Sequence, residues 1–264
     1  MTSISLVGYS DKISLRSEET ISFKVSSTLK TPFIASLKRS ISADPNPKGI
    51  GIIEEDASKY FKTTSIKSRI QDFNPGSYAI TEKLLKIDIK KELSINIKIF
   101  PTLLTKKKQT ILAYDNLELY IDTNGSLTFS IDKEITSTNE QLLLKSWYNI
   151  DVKISLKGKI TITQKLIKDK QKNKLTNKSK LKIKNSFKGQ LSLAALVLKK
   201  NTSNNYNGKI ESPKIIADGK TVLDCDLSKN ISYSSLKSIV GPKLLLKNFP
   251  TRAVTSSEWD GSEM

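Results

Sequence analysis

The chain has 264 residues, with 44 Lys and Arg against 26 Asp and Glu, a formal charge of +18 and no histidine. That length allows one large β domain or two smaller ones with a real core, and 37% apolar residues exclude a disordered chain. The single cysteine, Cys225, excludes an intrachain disulfide, and no apolar run approaches the roughly 18 residues that span a bilayer.

The first eight residues, Met-Thr-Ser-Ile-Ser-Leu-Val-Gly, lack a charged segment followed by an apolar one, so no secretory signal is visible and the expected location is cytoplasmic. The positive balance points towards anionic partners. Lysine, however, greatly outnumbers arginine, and the bias towards Lys, Ile, Asn and Ser runs through the whole chain. Arg16, Arg39, Arg69 and Arg252 alone are available for a bidentate grip on phosphate or guanine. Nucleic acid is therefore not an expected partner; non-specific adhesion to polyanions at low salt is.

Residues 1–82 read as a small all-β unit. Ile4 and Leu6, Ile13 and Leu15, then Ile21, Phe23 and Val25 alternate with polar residues; Phe33, Ala35 and Leu37 make a further strand, and Gly76–Ile80 the last. The stretch Asp44-Pro45-Asn46-Pro47-Lys48-Gly49-Ile50-Gly51 is too rich in breakers to be regular. Short strands at this spacing predict an immunoglobulin-like sandwich. Glu54, Glu55 and Asp56 are adjacent in sequence and so do not converge on one point; they read as a solvated loop.

The pattern restarts at Leu93, with Ile95, Ile97 and Ile99 alternating up to Pro101, and Ile111–Tyr114 leading onward. Asn116–Gln164 then reads as two consecutive hairpins. Leu117, Leu119 and Ile121 alternate, Asp122-Thr123-Asn124-Gly125 turns the chain, and Leu127, Phe129 and Ile131 return. In the second, Ile150, Val152, Ile154 and Leu156 share a face, Lys157-Gly158-Lys159 turns, and Ile160 and Ile162 follow, leaving Asn149, Asp151 and Lys153 to water. Trp147 before this strand is expected to close one end of a core; stacking on a ligand is its sharper alternative.

Lys168–Lys188 is the most polar segment, a mobile loop or a charge-protected edge strand, with a basic binding patch as the functional alternative. Leu191–Leu198 fits a strand or a short helix. Asn204-Asn205-Tyr206-Asn207-Gly208 then turns the chain into an apolar strand. Asp224 and Asp226 have the spacing of a calcium contact, but two carboxylates cannot fill six to eight oxygen positions. The sequence ends soon after Trp259, as though a domain were cut short.

Two resemblances follow from these segments. Leu93–Phe100, the Asn124-Gly125 hairpin, Trp147–Val152 and Tyr206-Asn207-Gly208-Lys209-Ile210 resemble, in order, the signatures of the laminin-G/concanavalin A-like lectin fold, a jelly-roll of two facing sheets. Leu6–Ser14 with Glu19–Ser26, Asp44–Pro47 with Gly51 and Glu54-Glu55, Pro75–Tyr78, and Pro250–Thr255 with Trp259-Asp260-Gly261 resemble the front half of the large (beta) subunit of N,N-dimethylformamidase-like proteins. That resemblance implies a non-catalytic docking part of an amide hydrolase, inert alone. The family's iron, held by tyrosines and a glutamate, lies in a downstream α/β domain, and no position here matches those ligands. With no histidine and one thiol, the usual nucleophile and base constellations are absent from the sequence as well.

The expectation is therefore all-β. Residues 1–82 form the immunoglobulin-like unit, 83–238 a LamG/concanavalin A-like β-sandwich, and 239–264 a tail leading toward a missing catalytic domain. No catalytic residue, cofactor or metal is assigned, with Asp224 and Asp226 only weak metal candidates. Arg252 and Trp259 are the docking residues the resemblance favours, for a catalytic α/β domain or subunit supplied in trans; a homo-oligomer is also weighed. The alternative is a free-standing carbohydrate-binding module, in which Tyr114, Asn205, Tyr206 and Asn207 offer the aromatic and amide groups that a glycan needs.

Overall fold

The computed structural model describes residues 4–71, 76–132, 134–168, 183–199, 201–228, 234–248, 250 and 256–258, and the backbone of 174–180. The chain divides into two compact units, Met1–Phe73 and Asn74–Met264.

The first unit holds β1 (Leu6–Ser10), β2 (Phe23–Ser27), β3 (Phe33–Ala35), β4 (Lys38–Ala43), β5 (Ile52–Asp56) and β6 (Thr64–Ile66). They form three separate antiparallel ribbons, β1 with β2, β3 with β6 and β4 with β5. Strands thus form where apolar and polar residues alternate, but among the described residues the ribbons do not join into the two facing sheets of an immunoglobulin-like sandwich. Glu54, Glu55 and Asp56 lie on β5, not in a loop, and Lys38 and Arg39 of β4 meet Glu54 and Glu55 at 2.9 and 3.9 Å.

The second unit begins with β7 (Tyr78–Thr81), β8 (Leu85–Asp88), β9 (Glu92–Pro101), β10 (Gln109–Tyr114), β11 (Leu117–Ile121), β12 (Ser126–Ile131) and β13 (Glu134–Gln141). It continues with β14 (Tyr148–Ser155), β15 (Lys159–Leu166), β16 (Lys174–Lys180), β17 (Ser186–Gly189), β18 (Leu191–Leu193), β19 (Leu196–Leu198) and β20 (Asn201–Ser203). Last come β21 (Gly208–Ala217), β22 (Lys220–Asp224), β23 (Ser235–Leu236) and β24 (Leu244–Lys247). One sheet runs β13-β12-β11-β10-β18-β7-β24-β23 and the other β16-β15-β14-β9-β21-β22. All named pairings are antiparallel, and the chain passes from one sheet to the other and back several times. This is a two-sheet, jelly-roll β-sandwich.

Its core is the alternation read from the sequence. Leu93, Ile95, Ile97 and Ile99 of β9, Ile150, Val152 and Ile154 of β14, and Ile160 and Ile162 of β15 are buried against Leu112, Leu117, Leu119, Leu127 and Phe129 of the other sheet. Each such side chain contributes about 1.5–3 kcal/mol when fully removed from water. Gly125 takes φ 81 in its turn, where Asp122 accepts from Gly125 N at 3.0 Å and its carboxylate from Asn124 N and Ser126 N at 2.9 Å. That left-handed position favours glycine.

Three expectations are corrected. The two hairpins are not neighbours: β12 pairs next with β13, and β14 begins in the opposite sheet. Tyr78–Thr81, expected as the last strand of the first unit, instead pairs with β18 and β24 inside the sandwich. Leu244–Lys247, expected in the tail, is β24 of the same sheet, because its alternate leucines Leu244 and Leu246 are buried in the common core. Within Lys168–Lys188, β16 is an edge strand paired with β15, and Leu191–Leu198 is strand, not helix.

Candidate functional site

The link between β20, which pairs only with β19, and β21 carries the chain into the six-stranded sheet. Its four residues are held by main-chain bonds at almost every step. Thr110 N donates to Asn204 O at 2.7 Å, Tyr206 N to Ala194 O at 2.9 Å, and Thr102 N to Asn207 O at 3.0 Å. Asn207 donates from its backbone and side-chain nitrogens to Gln109 Oε1 at 2.9 and 3.0 Å. Gln109 is itself buried and donates onward to Leu103 O at 3.0 Å. A loop tied in this way is presented rigidly, which lowers the ordering cost of any ligand it meets.

Two glycines let the loop close in. The Asn205 side chain lies against Gly76, and a Cβ there would overlap it; a Cβ on Gly208 would overlap the Tyr206 hydroxyl and the Phe100 carbonyl. Tyr206 is buried, and burial raises its phenol pKa, opposed in part by the Phe100 backbone. The Asn205 Nδ2 atom is buried without a hydrogen-bond partner among the described residues, a state that costs about 1–3 kcal/mol unless something accepts from it.

These residues line a cavity of about 480 Å³ at one end of the sandwich. Ala79, Leu193, Leu246, Ile210 and Leu227 give it an apolar floor; Ser77, Asn205, Asn207, Lys209, Glu211 and Ser228 supply polar groups, and Trp147 and Tyr206 are aromatic wall. Trp147 packs on Phe100 with ring centroids 5.3 Å apart, and Lys209 Nζ stands 4.8 Å over the Phe100 ring. Beside the cavity, Glu211 accepts from Ser257 N at 2.9 Å and Ser257 Oγ at 2.6 Å, while Lys98 reaches Ser257 Oγ at 3.0 Å and Glu258 at 3.2 Å.

Of the residues singled out from the sequence, Asn205, Tyr206 and Asn207 come together here, and Trp147, expected mainly as a core aromatic, is both buried and part of the wall. Tyr114 does not join them. Its side chain is 1% exposed, and its hydroxyl sits 3.1 Å from Leu85 O and 2.9 Å from Phe187 O, so it is a core tyrosine and not a glycan contact. Asp224 is taken by Lys214 at 2.7 Å, and Asp226 accepts from Ser228 N at 2.9 Å and from its hydroxyl. The described residues contain no cluster of three His, Cys, Asp or Glu side chains that could hold a metal. Arg252 and Trp259 lie outside the described residues. Gln109, Gly76 and Glu211 were not singled out: a buried glutamine under a loop 98 positions away in sequence leaves no local pattern.

The groups in the cavity can grip hydroxyls and stack on apolar ring faces. Its carboxylate, Glu211, accepts from Ser257.

No protein-family model matches the chain, and no curated protein matches it. Among solved structures it is similar to a candidate carbohydrate-binding protein from Bacteroides ovatus, at 13% identity and a TM-score of 0.48, covering 70% of this chain and 65% of that one. It is also similar to the heptameric SAP-like pentraxin of Limulus polyphemus, at 11% identity and 0.42, covering 66% and 90%. Scytalido-glutamic peptidase is similar at 8% identity and 0.37, covering 65% and 97%. The chain thus spans less than two thirds of the Bacteroides protein, and its function has to be argued from its own geometry.

Proposed function

We propose that the chain is a carbohydrate-binding, lectin-like module whose ligand enters the cavity at the Asn205–Asn207 loop. The observation that carries this reading is the convergence of Asn205, Tyr206 and Asn207 with Trp147 on one cavity of about 480 Å³. A sugar ring has an apolar C–H face and a fringe of hydroxyls, and it asks for aromatic or aliphatic surface beside amide donors and acceptors. This cavity offers both, within the few hundred Å³ typical of small-ligand sites. The Asn205 side chain, whose Nδ2 is buried without a partner among the described residues, is part of the same lining.

The docking role in an amide hydrolase rests on the sequence resemblance alone. Ser257 and Glu258 of the tail are engaged with Glu211 and Lys98 of the same chain.

A glycan array probed with the full chain at 150 mM salt tests the proposal. Neutral glycans should bind, and Asn205→Ala should weaken the best of them at least tenfold while the unfolding midpoint stays within error. Binding confined to sulfated glycans and abolished by salt, or binding indifferent to Asn205→Ala, would point to adhesion by net charge and remove the site.

A further inference from the structure

The alternation that builds the core also decides what the six-stranded sheet shows on its other side. On β14 and β15, Ile150, Val152, Ile154, Ile160 and Ile162 turn inward, so Lys153, Lys159, Thr161, Thr163 and Lys165 turn outward with Asn149 and Asp151. Lys153, Lys159 and Lys165 are exposed, and none of them has an ion-pair partner among the described residues. The one carboxylate among these outward groups, Asp151, accepts from the side-chain amides of Asn96 and Asn149.

The register sharpens this. In the ladder of β15 and β16, Lys180 stands opposite Lys159 and Lys174 opposite Lys165, with Lys178 opposite Thr161 between them. Neither strand contains an acid. Like charges directly opposite one another destabilise a sheet, and this ladder repeats the arrangement twice. Lysine on an edge strand blocks pairing with other chains, but that accounts for β16 alone. Lys153, Lys159 and Lys165 lie on β14 and β15, which are paired on both sides. The rest of the chain does not supply the missing charge, because the first unit carries 11 Lys and Arg against 8 Asp and Glu, leaving +15 of the +18 on the second. An anionic partner relieves such a face.

The spacing and the intervening groups select the partner. Lys159 and Lys165 are six residues apart on one strand, about 20 Å at about 3.4 Å per residue, which fits an extended polymer and not one small anion. The three strands contain no arginine, and β14 and β15 turn no aromatic ring outward on which bases could stack. They also expose no large apolar side chain that could enter a bilayer. Thr161 and Thr163 place hydroxyls between the lysines, which suits the hydroxyls of sugar rings.

We propose that the outer face of β14, β15 and β16 binds a linear polysaccharide carrying sulfate or carboxylate groups. These strands contribute nothing to the cavity lining, and the inference does not rest on the cavity.

Titration of the full chain with heparin, and with polygalacturonate beside it, in 150 mM salt tests the proposal and separates sulfate from carboxylate recognition. The wild type should bind at least one of them. Lys153→Gln/Lys159→Gln/Lys165→Gln should weaken that binding at least tenfold, with an unfolding midpoint no lower than wild type because two like-charge pairs are relieved. Lys83→Gln/Lys107→Gln/Lys243→Gln removes as much charge from exposed positions outside these strands and should bind within twofold of wild type. Asn205→Ala should leave this binding unchanged. Equal weakening by the two triple variants would reduce the effect to net charge and overturn the proposal. So would a wild type that binds neither polymer, or binding lost with Asn205→Ala. Single-stranded DNA or phosphatidylserine vesicles held more tightly than both polymers, through the same three lysines, would overturn the assignment to a polysaccharide.

Discussion

Replacing Tyr114 by Phe separates its structural role from the ligand role its sequence context allowed. The ring would stay in place against Phe187, whose centroid is 6.4 Å away, so the apolar burial is kept and only the hydroxyl is lost. That hydroxyl has two acceptors, Leu85 O at 3.1 Å and Phe187 O at 2.9 Å, on strands that pair with each other as β8 and β17. One proton serves two buried carbonyls, and removing it leaves both short of a donor. An unmet buried polar group costs about 1–3 kcal/mol, so the loss should be about 2 kcal/mol. With a urea slope of about 2 kcal/mol/M, typical of a small domain, the midpoint should fall by about 1 M. Equilibrium urea unfolding followed by tryptophan emission reads this directly, and glycan affinity should not change. A midpoint within 0.2 M of wild type, or a tenfold loss of glycan binding at unchanged stability, would refute the assignment of Tyr114 to the core.

Gly208→Ala should cost about 1–3 kcal/mol and abolish glycan binding, because the new methyl group displaces the Tyr206 hydroxyl or the Phe100 carbonyl; unchanged binding in a titration would contradict the packing of the loop. Burial raises the pKa of both Tyr114 and Tyr206 above the ordinary 10.0, so the folded state keeps protons that the unfolded state releases. Their effect on stability is nil below about pH 10 and turns unfavourable above it. A Tyr114→Phe/Tyr206→Phe variant should therefore lose stability less steeply between pH 10 and 11.5 than wild type, and equal slopes would reject this. The Asp218 carboxylate accepts from the backbone nitrogens of Lys90, Lys91 and Glu92 at 2.6, 2.7 and 3.0 Å, which lowers its pKa below 3.8. The gap in urea midpoint between wild type and Asp218→Asn, a residue that tolerates the same left-handed φ of 49, should be full at neutral pH and narrow as the pH falls through that lowered value; a gap that stays constant down to the lowest pH at which the fold survives would show the effect is not ionic.

Much of the sandwich was legible because its strands bury one face and wet the other. Ile150 to Ile154 buries every second residue, and Leu117 to Ile121 and Leu127 to Ile131 alternate in sequence although Tyr120 and Thr128 are buried as well; Asn124-Gly125 announces its turn. Tyr114 could not be read this way. It ends β10, a strand buried at all six positions, and where both faces are covered the alternation that separates core from surface disappears. Pairing between distant segments was equally silent: nothing local to Tyr78–Thr81 indicates Leu244–Lys247 as its neighbour. The first unit misled for the opposite reason. Alternating apolar residues predict strands, and strands formed, but alternation does not say whose surface will cover the apolar side. The cavity was half visible, since Asn205, Tyr206 and Asn207 sit together in sequence, while its floor comes from strands scattered over the chain.

The pairing of β7 with β24, in which Leu246 lies opposite Ala79, brings the first and last strands of the sandwich side by side. Tyr78, where the first strand begins, thus lies opposite Lys247, where the last strand ends. A body with adjacent ends can be spliced into a surface loop of another protein without stretching either, and its own ends can be joined by a short linker and the chain reopened at the Asn124-Gly125 turn. The sandwich is built as a transplantable part.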